Sequence, residues 1–252
     1  MKSGIWPPLL LGAGIIGAWE AYVRVARIDP LLLPPPSAVV RYLAANAGIF
    51  VRNGAATLTE LLVGFASGVV IGLCLGMLMQ TWRWFREAAY PWLVATQMVP
   101  IPAVAPILVL WFGFTIVPKA ATVALMCFFP VAVNTVDGLS SVNPELIRLL
   151  RTFGAGPWQV MSKVALPSAL PRIFSGVRVA MALSVVGAVV GEWVGATQGL
   201  GYLMLHFENR GETAGLFATV TVLTIMGIIL FFLVGWAENA AISWRRYAKE
   251  TV

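Results

Sequence analysis

The feature that most constrains this chain is a series of apolar runs, each long enough to cross a lipid bilayer. A spanning helix needs about 20 mostly apolar residues. Six such runs can be drawn, at about 5–23, 58–79, 90–112, 119–136, 173–196 and 216–237. Only 11% of the 252 residues are charged and the mean hydropathy is +0.85, whereas soluble domains carry roughly 25% charged residues. We therefore predict an all-α, polytopic membrane protein with about six transmembrane helices.

Two regions are expected along the chain, 1–56 and 57–252. The first apolar run is expected to stay as a transmembrane helix, because Pro7 and Pro8 stand where the core of a cleaved signal would begin. The prolines at 34–36 then prevent a helix, and Ser37 can begin a new one. Apolar residues recur at helical spacing as far as Phe50, which predicts an amphipathic segment at the outer surface. The second region is expected to be the core transmembrane domain, with a long loop at 138–172.

The basic residues indicate how the helices are oriented. If six helices alternate in direction, most Lys and Arg residues fall on one side of the membrane. That side holds Lys2, Arg83, Arg86, Arg148, Arg151, Lys163, Arg172, Arg245, Arg246 and Lys249. Because basic loops are cytoplasmic, we expect both termini in the cytoplasm. The net charge of +6 is then explained by loops that lie against anionic lipid, and we expect no nucleic-acid partner.

Glycine and proline spacing predicts how the helices pack. Glycines recur every four residues in the second and fifth runs, and such strips let helix backbones approach each other closely in lipid. The predicted helix-packing residues are Gly64, Gly68, Gly72, Gly76, Gly187, Gly191 and Gly195. The third run instead contains Pro91, Pro100, Pro102 and Pro106, so we expect it to be bent or broken and to border a cavity.

The loop at 138–172 contains strong helix signals. Asn143 is a predicted N-cap, followed by proline and glutamate at the positions where a helix start favours them, and Gly154 ends that helix. A second short helix is predicted over Trp158–Val164, ended by Leu166 and Pro167. We expect these two helices to expose Phe153, Trp158 and Val160 as a docking surface.

With these signals the loop resembles that of the permease subunit of bacterial ABC importers, the binding-protein-dependent transport inner membrane components. The family signature is Glu-Ala-Ala, three residues, Gly, and about nine residues to an Ile/Val-x-Leu-Pro. Gly154 matches the glycine and residues 164–167 match the closing element, whereas Arg148, Leu149 and Leu150 replace the Glu-Ala-Ala. The resemblance implies that the loop couples to an ATPase through Arg148, Leu149, Leu150, Gly154, Ala155, Trp158 and Pro167.

Three further stretches are similar to one branch of that family. They run from Gln97 to Phe114, from Pro118 to Leu139 and from Val185 to Met204. The branch imports nitrate, sulfonates, taurine and thiamine-precursor pyrimidines. Within it the resemblance favours a thiamine-precursor pyrimidine or riboflavin as substrate, with sulfonate, taurine or nitrate next.

The resemblance also implies partners and a location. These are two cytoplasmic ATPase subunits, a second permease chain in a homodimer or a heterodimer, and an extracytoplasmic solute-binding protein, all at the bacterial inner membrane. The sequence has no GxxxxGK[ST] motif, so ATP and Mg are expected on the ATPase, and this chain is expected to be a permease and not an enzyme. With one histidine and two cysteines, we expect neither a metal site nor another cofactor.

Polar residues inside the apolar runs are candidates for the translocation path, because burying them in hydrocarbon is costly. They are Gln97, Asn134, Asp137 and Glu192. Glu192 could instead be a structural partner of the backbone or of Arg178, whereas Glu60 is expected to reach the interface from a span end. A secondary active transporter is the alternative function. It would use the same broken helix and buried carboxylate, but inverted repeats are not evident and the two-helix loop would have no role.

Overall fold

A computed structural model describes residues 6–242, and over that range the chain contains helices and no strands. The helices are α1 (Trp6–Val25), α2 (Pro36–Ala45), α3 (Ala47–Thr81), α4 (Arg83–Ala95), α5 (Ile101–Phe112), α6 (Ile116–Ser140), α7 (Pro144–Thr152), α8 (Pro157–Val160), α9 (Leu166–Gly195), α10 (Leu200–Asn209) and α11 (Thr213–Ala241). A 3-10 turn, Thr96–Met98, follows α4, and a π-helical turn, Met161–Ala165, joins α8 to α9. The prediction of an all-α membrane protein is confirmed.

Four helical stretches within 6–242 are long and apolar enough to cross a membrane. They are Ala47–Thr81, Ile116–Ser140, Pro157–Gly195 and Thr213–Ala241. The α4–α5 pair gives a fifth span if it is counted as one, although its two halves are bent by 97°. The predicted count of six is therefore not confirmed. The predicted span that is missing from this count is α1. It has 20 residues, but it includes Pro7, Pro8 and Glu20 and is less apolar than the four spanning stretches.

The predicted amphipathic segment consists of two helices. Asn46 separates α2 from α3 with φ −119° and ψ 22°. Its side-chain Nδ2 donates to the carbonyl oxygen of Tyr42 at 3.0 Å. An asparagine side chain that bonds the local backbone in this way competes with helix continuation. As a result α3 begins at Ala47, well before the expected start of the second span.

The described chain forms two compact units. The first contains α1, α2, the start of α3 as far as Thr57, and Thr197–Ile225. In it the Tyr42 hydroxyl donates to Glu212 Oε2 at 2.5 Å and the Tyr42 ring packs edge-on against Phe207. Burial, together with the hydrogen bond to Glu212, raises the pKa of Tyr42 to about 12.

A helix that the sequence analysis did not predict, α10, also lies in the first unit. Its N-cap residue, Gly199, has no side chain with which to cap the free N–H groups of the first turn. Two buried residues of α3 do this instead. Asn53 Oδ1 accepts from the backbone N–H of Gly199 at 2.8 Å, and Thr57 Oγ1 accepts from that of Leu200 at 2.7 Å.

The second unit, Leu58–Ala196 with the chain from Met226, is built around α6. The four glycines of α3 lie against it: a Cβ atom added at Gly64, Gly68, Gly72 or Gly76 would lie 2.4–2.7 Å from an α6 atom. Gly187 and Gly191 of α9 face α6 as well, whereas Gly195 faces Phe114. Side chains of all three helices form the apolar core, among them Leu61, Val131 and Ala180.

The predicted end of the second loop helix at Leu166 and Pro167 is wrong. The helical path continues from Pro157 through the π turn into α9 and reaches Gly195. A proline ring normally clashes with the carbonyl group four residues earlier, here that of Lys163. That carbonyl lies in the π turn, where the wider winding accommodates the proline, and Pro167 occupies the first turn of α9.

Candidate functional site

The loop between α6 and α9 is shaped by α7, a short helix with defined ends. Asn143 Oδ1 accepts a hydrogen bond from the N–H of Glu145 at 2.8 Å and so caps the start of the helix. At the other end Gly154 has φ +81°, a left-handed conformation that favours glycine. The N–H of Ala155 then donates to the Leu150 carbonyl at 3.0 Å, which completes the helix end. These caps hold α7 in one conformation.

The second loop helix, α8, follows directly. Gln159 Oε1 accepts from the N–H of Gly156 at 3.0 Å, and Pro157 occupies the first helical position. Val160 points into the protein and is buried, so the prediction that it is exposed is wrong. Val160 is the last residue of α8 and lies on its inward-packing face, whereas Trp158 faces outward.

Four large apolar side chains of α7, α8 and the turn between them are exposed, and we call them the loop surface. Phe153 is 79% exposed and Trp158 is 78% exposed. Leu146 and Leu149 are about half exposed. Of the other predicted coupling residues, Arg148 is exposed, whereas Leu150, Ala155 and Pro167 are half-buried. Exposed apolar groups of this size on a capped, rigid element are typical of a protein-docking site.

A polar groove of about 490 Å³ opens where α6 ends and α9 begins. Its lining comprises Asn134, Asp137, Ser140, Ser141, Arg172 and Ser175. Arg172 Nη1 donates to the Asp137 carbonyl oxygen at 3.0 Å and ties the two helices together. The groove brings together two of the predicted path residues, Asn134 and Asp137. Gln97 does not line it: it is exposed in the 3-10 turn after α4.

Glu192 lies away from the groove, among the packed helices. It is 1% exposed and its carboxyl group lies beside that of Glu60, which also forms an ion pair with Lys119. We call Glu60, Lys119 and Glu192 the buried cluster. The expectation that Glu60 reaches the interface is wrong, because α3 starts earlier than predicted and places Glu60 well inside the helix.

Arg178, the alternative partner of Glu192, forms its ion pair elsewhere. Arg178 Nη2 lies 2.6 Å from Glu238 Oε2. Its guanidinium group also lies over the ring of Phe231, 5.8 Å from the centroid. This arginine therefore ties α9 to α11. Within 6–242 no three His, Cys, Asp or Glu side chains are grouped so that they could hold a metal ion.

Comparison with known proteins identifies the family. Residues 68–243 match the binding-protein-dependent transport system inner membrane component family. The chain belongs to this family. A formylaminopyrimidine transport permease protein of Halalkalibacterium halodurans is 38% identical, with 95% of this chain and 96% of the relative covered. The riboflavin transport system permease protein of Chloroflexus aurantiacus is 35% identical, with 95% and 91% covered.

A more distant relative and a solved structure agree with this assignment. The taurine transport system permease protein of Escherichia coli is 30% identical, with 88% of this chain and 82% of the relative covered. A chain of the inward-facing MetNI methionine ABC transporter has the same fold, with a TM-score of 0.63, 24% identity, and coverage of 78% and 96%. The protein is thus a multi-pass inner-membrane permease subunit of an ABC importer, and a secondary active transporter is not favoured.

The sequence analysis missed several residues of the polar groove and of the buried cluster. Ser140, Ser141 and Ser175 carry no motif, and Arg172 was interpreted as an orientation signal only. They line the groove because α6 and α9 cross there, which depends on long-range packing. Lys119 stands at the start of the fourth apolar run and was given no role, although it forms an ion pair with Glu60 of α3. One signal was available: Glu60 and Lys119 each lie near the start of an apolar run, and charged residues within spans tend to pair with one another.

Proposed function

We propose that this permease couples ATP hydrolysis to uptake through its loop surface, which docks on a cytoplasmic ATPase subunit. Two permease chains would assemble as a homodimer with two such ATPases and an extracytoplasmic binding protein. The ATPase would hold ATP and Mg, and this chain would supply no cofactor and no catalytic group. The observation that carries the proposal is the exposure of Phe153 and Trp158, both above three-quarters, on capped helices.

The exposed side chains of the loop are arranged to fit into a groove on the ATPase subunit. Two large exposed aromatic side chains, Phe153 and Trp158, stand five residues apart on either side of the Gly154 turn, and α7 adds two exposed leucines. Aromatic residues supply most of the energy at protein interfaces when they fill a pocket on the partner. Arg148 and Arg151 are exposed beside them and would meet acidic groups at the rim.

The unbroken helical path explains how docking could be coupled to the membrane domain. From Pro157 to Gly195 the chain is helical throughout, so Trp158 and the spanning part of α9 lie on one continuous element. A displacement of the loop surface by the ATPase would therefore move α9 directly, without a flexible linker to absorb it. Gly154, Ala155 and Pro167 would hold the geometry of this connection rather than contact the partner.

We further propose that the polar groove is the cytoplasmic mouth of the translocation path, with both termini in the cytoplasm. The groove lies at the same end of α6 and α9 as the loop surface. Asn134, Asp137, Arg172 and the three serines offer both donors and acceptors, which suit a polar heterocycle. Gln97 would border the path at the α4–α5 bend, and Glu192 would act as a structural partner of Glu60.

For the substrate we propose a thiamine-precursor pyrimidine or riboflavin, with sulfonate, taurine or nitrate next. The support comes from relatives: the formylaminopyrimidine and riboflavin permeases are 38% and 35% identical, and the taurine permease is 30% identical. A direct test reconstitutes the permease with its ATPase in lipid and adds binding protein loaded with pyrimidine, flavin or taurine. We expect pyrimidine or flavin to stimulate ATP hydrolysis, and stimulation by taurine alone would refute this choice.

The coupling proposal is tested with the double variant Phe153→Ser/Trp158→Ser. We expect its affinity for the ATPase subunit to fall at least roughly tenfold, because two interface aromatics are lost. The matched control is Trp236→Ser, which removes another exposed tryptophan, 72% exposed on α11, outside the loop. Unchanged ATPase binding by the double variant, measured on purified permease in detergent, would exclude the loop surface as the docking site.

A further inference from the structure

The helix α4 has three different faces around its axis. Phe85, Ala89 and Leu93 lie four residues apart and pack against a buried cluster that includes Met79 and Phe128. The second face holds Trp84 and Trp92, which are 78% and 76% exposed. The third is polar. A helix with one packed face, one exposed aromatic face and one charged face is typical of the membrane interface.

The polar face of α4 lines an open pocket of about 580 Å³. The lining residues are Arg83, Arg86, Glu87, Tyr90 and Pro91. Arg83 pairs with Glu87 at 2.9 Å, and its side chain is 91% exposed. Arg86 is half-buried and its Nη1 lies 3.5 Å from Ser140 Oγ. Two arginines against one glutamate leave a net positive charge, and the two guanidinium groups retain several donors for an oxygen-rich anion.

The start of α4 adds to the attraction for an anion. Its N-cap residue, Trp82, makes no side-chain cap, and the first turn contains no acidic residue. The free N–H groups of the first turn point out of this N-terminal end of the helix, which carries a partial positive charge. Arg83 and Arg86 extend from that same first turn, so the backbone and both side chains favour a phosphate group.

The position of this pocket along the chain places it at the edge of the bilayer. The spanning helix α3 ends at Thr81, one residue before Trp82, which is 59% exposed. Tryptophans at the end of a span sit at the level of the lipid headgroups. The pocket is therefore next to lipid, with Trp84 and Trp92 facing the acyl boundary and Tyr90 inside the pocket.

We propose that the α4 pocket binds the phosphate of an anionic phospholipid headgroup. Arg83 and Arg86 contact the phosphate oxygens, Tyr90 donates to the headgroup, and Trp84 and Trp92 lie along the acyl chains. Glu87 holds the Arg83 side chain in place through their ion pair. This site is separate from the loop surface and does not depend on the coupling proposal.

The test uses the purified full chain in detergent, titrated with phosphatidylglycerol and monitored by native mass spectrometry. Phosphatidylcholine with the same acyl chains is the neutral reference, and inorganic phosphate is the soluble competitor. Each arginine near an anionic lipid surface contributes about fivefold to affinity, so Arg83→Gln/Arg86→Gln is expected to bind phosphatidylglycerol roughly thirtyfold more weakly. The charge-preserving Arg83→Lys/Arg86→Lys is expected to stay within about fivefold of the parent.

The control variant is Arg52→Gln/Arg210→Gln, which removes the same charge from two exposed arginines elsewhere. We expect it to bind phosphatidylglycerol like the parent. If the double glutamine variant at α4 does not purify, Arg83→Gln alone is expected to lose about fivefold. Equal phosphatidylglycerol binding by the parent and the α4 variant would overturn the proposal. So would displacement of the lipid by equimolar inorganic phosphate, because the site would then be one for free phosphate.

Discussion

Replacing Gly64 with alanine tests whether α3 and α6 approach as closely as the structure has them. A Cβ atom at this position would lie 2.4 Å from the Ala120 carbonyl oxygen and 2.5 Å from Val123 Cβ. Both neighbours belong to α6, and the first is backbone, which cannot rotate away. Because nonbonded carbon atoms sit about 3.5–4.0 Å apart, the two helices would have to separate locally by roughly 1 Å.

The expected cost follows from that separation. A gap of about 0.5–1 Å removes between a quarter and a half of the dispersion energy of each contact along it. Overpacking of this kind costs about 1–3 kcal/mol, and in lipid no hydrophobic driving force compensates for lost packing. We therefore expect Gly64→Ala to lower the free energy of unfolding by about 2 kcal/mol. With a protein of this size that corresponds to a thermal midpoint about 4–8 °C lower.

The assay is thermal unfolding of the purified permease in detergent, followed by tryptophan fluorescence. Gly48→Ala is the matched control, because it lies in the same helix and an added Cβ there meets nothing within 4 Å. It should gain up to about 0.5–1 kcal/mol from the better helix propensity of alanine. In Gly64→Ala/Gly72→Ala the loss should be smaller than the sum of the single losses, since one separation relieves both clashes. A Gly64→Ala midpoint equal to that of Gly48→Ala would refute the close approach.

Three further predictions concern the ion pair, a tyrosine and the loop. Lys119→Met should lower the free energy of unfolding by about 3–5 kcal/mol in the same melts, because it leaves the buried Glu60 without its cation; parent-like melting would exclude the pair. Tyr42, with its pKa raised to about 12, contributes stability that is present below pH 10, its ordinary value, and is lost as the pH rises to 12. Tyr42→Phe should therefore lose less stability than the parent between pH 10 and 12, and identical pH dependence would contradict this. Gly154→Val forces a β-branched residue to φ +81°, so it should uncouple ATP hydrolysis from uptake with membrane insertion intact; unchanged uptake per ATP would count against a coupling role.

Much of the fold could be predicted because lipid restricts what a backbone can do. Spans within the ranges 58–79, 119–136, 173–196 and 216–237 were predicted and all four are found, with longer helices than the apolar runs alone indicate. The glycine spacing indicated close packing, and the structure places both strips against α6 apart from Gly195. Prolines in the third run predicted a break, and the structure has a bend of 97° there.

The rest depends on contacts between distant parts of the chain. The helix α10 is short, and its start is capped by Asn53 and Thr57, more than a hundred residues earlier in the sequence. The helix continues past Pro167 because a π turn precedes it, and no local pattern predicts such a turn. Lys119 and Glu60 looked like residues at span ends, and only the packing of α3 on α6 brings them together.

Uptake by proteoliposomes that contain the full complex tests the central claim most directly. Radiolabelled substrate and its binding protein are supplied on the outer side of the permease, with ATP on the ATPase side. We expect uptake that requires hydrolysable ATP, that stops with a non-hydrolysable analogue, and that falls strongly in Phe153→Ser/Trp158→Ser while Trp236→Ser transports normally. Uptake driven by a proton or sodium gradient without nucleotide would contradict the account and restore the secondary-transporter alternative.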